Sequence, residues 1–290
     1  MPRIAFLFMA YKNPAQVERV IQSLSYPDVD FYIHLDKKID LAPFAYLEKL
    51  ENVYLIKSRV LINWGTYSLT RGILLSVQEI QKGRTDYRFF GFISGQDYPI
   101  RPIKELYLQL DSNPETNMIS FLPQGHPWYE EAHLRINSYS CNELPIFGKY
   151  KLESFLNTFF KKFRYTYPLP IYGAPGSAFM ILTKECTQYL INKINKNKRM
   201  AFHLELTWGP DEFLFQTLIM HSPFKDKVLV NALYYMNWKD GGLHPKTFTK
   251  KDFSELEQRG EFLARKFDLE RDKSIMDLLD LRLNSQTKKT

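Results

Sequence analysis

The first hundred residues alternate between short apolar runs and segments with a 3.6-residue apolar period, and few folds accommodate that order. Residues 4–9 are uninterruptedly apolar. The run suits a buried strand and is too short to span a bilayer. Lys12, Asn13 and Pro14 end it. A helix is expected over 14–24, with Asn13 as N-cap and Pro14 at the first helical position. Residues 31–35 read as a second strand ending at Asp36, and 52–56 as a third. In 68–81, Leu69, Ile73, Leu74, Val77 and Ile80 recur at helical spacing. Residues 89–93 form a fourth strand, followed by Ser94-Gly95-Gln96-Asp97. Strand, helix, strand in repetition implies an α/β fold with a mainly parallel central sheet flanked by helices. Ligands of such sheets sit beyond the carboxyl ends of the strands, which is where Asp36 and Asp97 fall.

The second half is more mixed. A short strand is expected at 118–122, a loop over 124–150 and an amphipathic helix over 151–163. A strand at 177–183 is approached through Gly173-Ala174-Pro175-Gly176. Helices are expected at 210–220, 251–266 and 274–283, with strand-like character at 228–237. No Gly/Ser/Pro-rich linker divides the chain. Residues 1–290 therefore read as one domain, with an alternating strand–helix half (1–110) and a more mixed half (111–290) ending in helices.

Composition limits the partners. With 44% hydrophobic and 24% charged residues the chain is ordinary for a folded protein, and its 15% aromatics suit a large core or a carbohydrate cleft. The net charge of +7 is compatible with nucleic acid, an anionic membrane or a phosphate-bearing substrate. The basic residues are dispersed, without the stripe that nucleic acid requires, so no nucleic-acid partner is expected. Two cysteines in no metal or CxxC spacing, and no anchor-like segment, point to a cytoplasmic protein. Its basic surface predicts weak peripheral contact with the inner face of a membrane.

Chemistry concentrates in a few places. In Trp208-Gly209-Pro210-Asp211-Glu212, Pro210 suits a helix start and puts two acids in the first turn. One carboxylate can complement the helix end while the other, about 100° around, projects into a cleft. Gly173 to Ser177 is glycine-rich but precedes no helix, so it is neither a P-loop nor a dinucleotide fingerprint. Arg265-Lys266 lies between Phe262-Leu263 and Phe267, an apolar flank able to hold cations at a cleft edge. The six histidines have no metal spacing and no DxD pair is present, so no metal cofactor is expected.

Taken in order, Ala10-Tyr11-Lys12-Asn13-Pro14-Ala15-Gln16-Val17, Ile33-His34-Leu35-Asp36-Lys37-Lys38, Ser94 to Ile100, Gly176-Ser177, Pro210-Asp211-Glu212 with Phe215, Gln216 and Thr217, Asn237-Trp238, His244-Pro245-Lys246 and Ala264 to Asp268 resemble the core-2/I-branching β-1,6-N-acetylglucosaminyltransferase family, which includes the peptide O-xylosyltransferases. The resemblance implies a GT-A type nucleotide-sugar-binding fold and an inverting, metal-independent glycosyl transfer from a UDP-sugar, with GlcNAc or xylose as the sugar. The acceptor it implies is a hydroxyl of a glycan or lipid-linked glycan. On the same basis 1–110 is the nucleotide-binding half and 111–290 the acceptor-binding and catalytic half of one catalytic domain, Glu212 is the general base, and Asp36, Asp97, Ser177, Lys246, Arg265 and Lys266 line the donor. Trp128, Glu130, Arg135 and Asp211 are assigned to the acceptor. Tyr11 departs from the family's usual His, and Leu263 from its Phe. The alternative is a non-catalytic binder of carbohydrate or nucleotide sugar on the same fold.

Overall fold

A computed structural model describes residues 3–287 except 240, 241 and 243. Its centre is a seven-stranded sheet. The strands are β1 (Ile4–Ala10), β2 (Val29–Leu35), β3 (Val53–Leu55), β4 (Phe89–Ser94), β6 (Asn117–Ile119), β7 (Met180–Thr183) and β8 (Val228–Val230). They run in the order β3-β2-β1-β4-β7-β6-β8. All pairings are parallel except those of β7 with β4 and β6. The expected mainly parallel α/β sheet is therefore present.

Strand periodicity explains why β1 has no polar residue. Ile4, Phe6 and Phe8 enter one core with Val17 and Val20 of α1 (Pro14–Ser23), whereas Ala5 and Leu7 enter a second with Ile73 and Val77 of α2 (Ser68–Gln81). Both faces are covered, so both sets must be apolar. Phe6 lies across from Gly91 of β4 in register, and a Cβ on Gly91 would stand 2.4 Å from the Phe6 ring. Glycine there opens the space that the ring fills. Helix α1 starts as expected: the Asn13 side chain accepts from the Gln16 amide and Pro14 opens the helix.

A second, three-stranded sheet joins β5 (Asp97–Pro99), β10 (Leu263–Arg265) and β9 (Tyr234–Met236) in the order β5-β10-β9. It places Arg265 opposite Asp97 on one side and Met236 on the other. This corrects the helix expected over 251–266. Only α9 (Phe253–Glu257) is α-helical there, and residues 263–265 extend to complete a sheet whose other strands come from elsewhere in the chain. Residues 228–237 divide into β8 and β9, in different sheets.

The remaining helices are α3 (Ile103–Ser112), α4 (Trp128–Ile136), α5 (Lys149–Phe159), α6 (Lys184–Lys196), α7 (Lys198–Glu205), α8 (Leu214–Met220) and α10 (Lys273–Thr287). Helix α4 overturns the loop expected over 124–150. Trp128, Ala132 and Ile136 are buried at i, i+4 and i+8, a stripe obscured by the charged residues between them. The helix expected over 210–220 is broken. Residues Pro210–Glu212 form a 3₁₀ turn and α8 begins after Phe213, whose φ of −141° is not helical.

Candidate active site

One wall of the site is carboxylate. Gly209, at φ 60°, turns the chain into Pro210–Glu212, and its amide donates to the Gly65 carbonyl (2.8 Å). The N-cap positions of this turn and of α8 are Gly209 and Phe213, which supply no side-chain cap, and the two acids sit in a 3₁₀ turn rather than in the expected α-helical first turn. Glu212 instead accepts from Arg135 Nη1 of α4 at 2.6 Å and from the Gly176 amide at 3.3 Å. Arg135 is braced on its other edge by Glu131, one turn earlier. Burial raises the Glu212 pKa above the ordinary carboxylate range, against the opposing pull of Arg135. Burial, then the neighbouring Glu212 charge, pushes Asp211 up to about 7.

The Gly173–Ser177 segment holds this wall in place. The Ala174 amide and the Ser177 hydroxyl both donate to the Glu212 carbonyl (3.0 and 2.9 Å). A Cβ on Gly173 would lie 2.2 Å from that carbonyl and 2.8 Å from the Trp128 ring. The segment's glycine thus serves close backbone approach, and Ser177, fully buried, fastens the Glu212 backbone. Gly176 links the two walls. Its amide touches Glu212, while a Cβ on it would stand 3.0 Å from the sulfur of Met236, the register neighbour of Arg265.

The second wall is cationic. Arg265 Nη1 donates to Asp97 Oδ1 (2.7 Å) and to the Ser94 hydroxyl, with its guanidinium 4.4 Å from the centre of the Phe179 ring. Asp97 also accepts from the Ser94 amide (2.7 Å) and hydroxyl (3.0 Å) and from the Tyr234 hydroxyl (2.8 Å). A carboxylate so occupied orients Arg265 rather than standing open to a ligand. Burial pushes the Lys266 ammonium below the ordinary lysine value, and the charges of Arg265 and Lys12 push it further. His244 is lowered by burial and by the charges of Lys266 and Arg265. Lys12, unassigned from the sequence, pairs with Asp268 at 2.6 Å, and Tyr11 donates to Gln96 Oε1 at 2.6 Å. The stretch bearing Tyr11 and Lys12 directly follows β1, so strand order alone places it with Asp36 and Asp97.

The other candidates divide. Asp36 is buried, accepting from the amides of Lys38 (3.0 Å) and Ile62 (3.3 Å), so its carboxylate ties the β2 end to the 60–62 loop. Lys246 pairs with Asp252 at 2.8 Å. Trp128 is buried in the core beside Tyr129, not presented as a sugar platform. Glu130 is exposed on a separate groove with His133, Leu134, Lys161 and Lys162. Arg135 and Asp211 do join Glu212. Missed from the sequence is Trp64. Its ring lies 5.2 Å from Trp208 and 5.5 Å from His244, bridging the segment before Glu212 to the one before Lys246. Among the described residues no three His, Cys, Asp or Glu side chains converge as metal ligands.

A carboxylate held by Arg135 and an arginine held by Asp97, connected through Gly176 and Met236, are thus the charged groups that the α/β fold fixes here. Residues 4–259 match the model of the Core-2/I-branching enzyme family, and the chain belongs to that family of glycosyltransferases. It is 26% identical over 310 residues to xylosyltransferase 2 of Rattus norvegicus, covering 97% of this chain and 34% of that protein. It is 24% identical over 296 residues to xylosyltransferase oxt of Drosophila melanogaster, covering 92% of this chain and 32% of that protein. The chain thus spans about a third of the length of these relatives. Among solved structures, mouse xyloside xylosyltransferase 1 in its apo form aligns with a TM-score of 0.42 at 13% identity, covering 91% of this chain and 96% of that one. Residues 1–349 of Staphylococcus aureus TarS align with a TM-score of 0.30 at 14% identity, covering 42% and 36%.

Proposed function

We propose that this chain is an inverting, metal-independent glycosyltransferase of GT-A type that moves GlcNAc or xylose from a UDP-sugar to a hydroxyl of a glycan acceptor. The observation that carries the reading is the placement of Glu212. Its carboxylate is gripped by Arg135 and the Gly176 amide, and Gly176 adjoins the strand that carries Arg265. Glu212 takes the proton of the acceptor hydroxyl as that oxygen forms its bond to the anomeric carbon. The bond from that carbon to the diphosphate oxygen breaks on the opposite face, and its electron pair leaves with UDP. A raised pKa makes Glu212 a better base near neutrality than an ordinary carboxylate. Arg265, Lys266 and Lys12 offset the charge that grows on the diphosphate, the service a metal ion would otherwise supply.

Glu212→Gln keeps size and polarity but removes basicity. Turnover with UDP-GlcNAc or UDP-xylose is expected to fall roughly 10²–10⁴-fold, with UDP affinity retained. Near-normal transfer by this variant removes Glu212 as base. UDP-sugar binding without turnover in the unaltered protein would favour a non-catalytic binder.

A further inference from the structure

Helix α5 (Lys149–Phe159) has no buried residue. Its inward face is nevertheless specific. Asn157 exchanges two hydrogen bonds with the Tyr139 backbone (2.7 and 2.8 Å), Glu153 accepts from the Cys141 amide (2.8 Å), and Leu152 and Leu156 pack on the small Tyr139–Cys141–Leu206 cluster. The outward face reverses the usual pattern of a surface helix. Phe155 (51% exposed) and Phe159 (62%), one turn apart, present their rings to solvent, and Phe160 and Phe163 (52%) continue the patch beyond the helix end. The rings contact one another, with centroids 5.2 Å apart for Phe155–Phe159, 5.7 Å for Phe155–Phe160 and 6.1 Å for Phe160–Phe163. They cluster while leaving about half of their area in water, at an avoidable cost if nothing covers them.

Charge indicates what covers them. Lys151, Lys161 and Lys162 flank the rings and are exposed, with Lys162 Nζ 5.3 Å from the centre of the Phe163 ring. The acid within the helix, Glu153, faces inward on Cys141. Exposed phenylalanines bordered by lysines match an anionic bilayer, where rings enter the acyl boundary and ammonium groups meet lipid headgroups. A protein partner could accept the rings but would need an acidic rim for the lysines. We infer that the α5 surface, from Phe155 to Phe163, docks the protein on an anionic lipid bilayer. Lys161 and Lys162 also line the groove that holds Leu134 and the exposed Glu130 of α4, so the two lysines outnumber the one acid there, and α4 is the helix whose Arg135 grips Glu212. Docking here sets the candidate base one helix away from the lipid, which suits a lipid-linked glycan as acceptor. That last step rests on the transferase reading; the docking itself does not.

The test is sedimentation of the full chain with vesicles of equimolar phosphatidylcholine and phosphatidylglycerol, against pure phosphatidylcholine, at low and physiological salt. Binding is expected with the anionic vesicles and to weaken with salt. F155S/F159S and, separately, K161E/K162E are expected to lower partitioning roughly tenfold or more, with unchanged circular dichroism, melting temperature and UDP affinity. Three outcomes would overturn the inference: no binding to anionic vesicles at low salt, binding indifferent to both double variants, or loss in F155S/F159S of a concentration-dependent dimer without any vesicle binding. The last would assign the patch to a second copy of the chain. Unchanged vesicle binding by Glu212→Gln separates this surface from the transferase reading, since either can fail alone.

Discussion

Arg135 of α4 donates through Nη1 to Glu212 at 2.6 Å while Glu131 holds its other edge. The pair joins a helix in the middle of the chain to a 3₁₀ turn 77 residues later, and it opposes the effect of burial on the ionisation of Glu212. Burial favours the neutral acid, and Arg135 favours the carboxylate.

Replacing Arg135 with Met removes the lowering influence, so the Glu212 pKa should rise further. A general base works only when deprotonated, so activity is lost as pH falls through that pKa. The acid limb of kcat/KM should therefore move to higher pH in the variant, with partial recovery in alkaline buffer. A pH–rate profile measures this. An unmoved limb would mean that Arg135 does not tune the base.

Lys266→Ala should weaken UDP binding and lower kcat, because its charge matters more as the diphosphate leaves. The lysine is held below its ordinary pKa, so UDP affinity should decline with rising pH earlier than an ordinary lysine would dictate. Lys266→Arg should keep part of the affinity and abolish that early decline, since a guanidinium stays charged. Exposed Lys193 on α6 serves as the control, and Lys193→Ala should change neither quantity. Calorimetric titration of UDP across pH checks each expectation, and a Lys266→Ala profile that coincides with the control would rule out this residue.

Asp97→Asn should loosen Arg265 without touching UDP directly. Asp97 is buried and accepts from Ser94, Tyr234 and Arg265. Leaving Arg265 without its anion should cost stability of about 3 kcal/mol or more and weaken UDP binding as well. Denaturant melts and UDP titration together report this. Lost stability with unchanged UDP affinity would restrict Asp97 to the fold.

Gly173→Ala places a methyl 2.2 Å from the Glu212 carbonyl and 2.9 Å from the Phe213 Cα. Both are backbone atoms, so the segment must shift, at about 1–3 kcal/mol. The shift displaces Glu212 but not the Arg265 strand. A lower melting temperature and lower kcat with nearly unchanged UDP affinity are expected. Wild-type kcat would show that the base tolerates movement of its support.

If Arg265, Lys266 and Lys12 offset the diphosphate charge as proposed, activity should persist in EDTA. Turnover assays in chelator, with and without added Mn²⁺, measure it. Loss in chelator that Mn²⁺ restores would overturn the metal-independent reading.

Some of this protein is written in its local sequence. The apolar run of β1, the periodic stripe of α2 and the Asn13-Pro14 cap are short-range patterns, and each element lies where its pattern puts it. The parallel run of β2, β1 and β4 then sets Asp36 and the Ser94–Asp97 segment at the carboxyl ends of neighbouring strands. Glu212 and the Arg265-Lys266 pair stood out because acids after Gly-Pro and cations between aromatics are unusual neighbours. Tertiary structure decided the rest. Residues 263–265 became a strand because β5 and β9 offered unpaired backbone on either side. Residues 128–136 became a helix because the core received Trp128, Ala132 and Ile136. Whether a carboxylate orients a neighbour or meets a ligand depends on donors distant in sequence. Asp97 is claimed by Tyr234, 137 residues away, and by Arg265, 168 away. Lys12 meets Asp268 across 256 residues. Local propensity carries no information about such pairs. They exist only once burial has brought the two halves of the chain together.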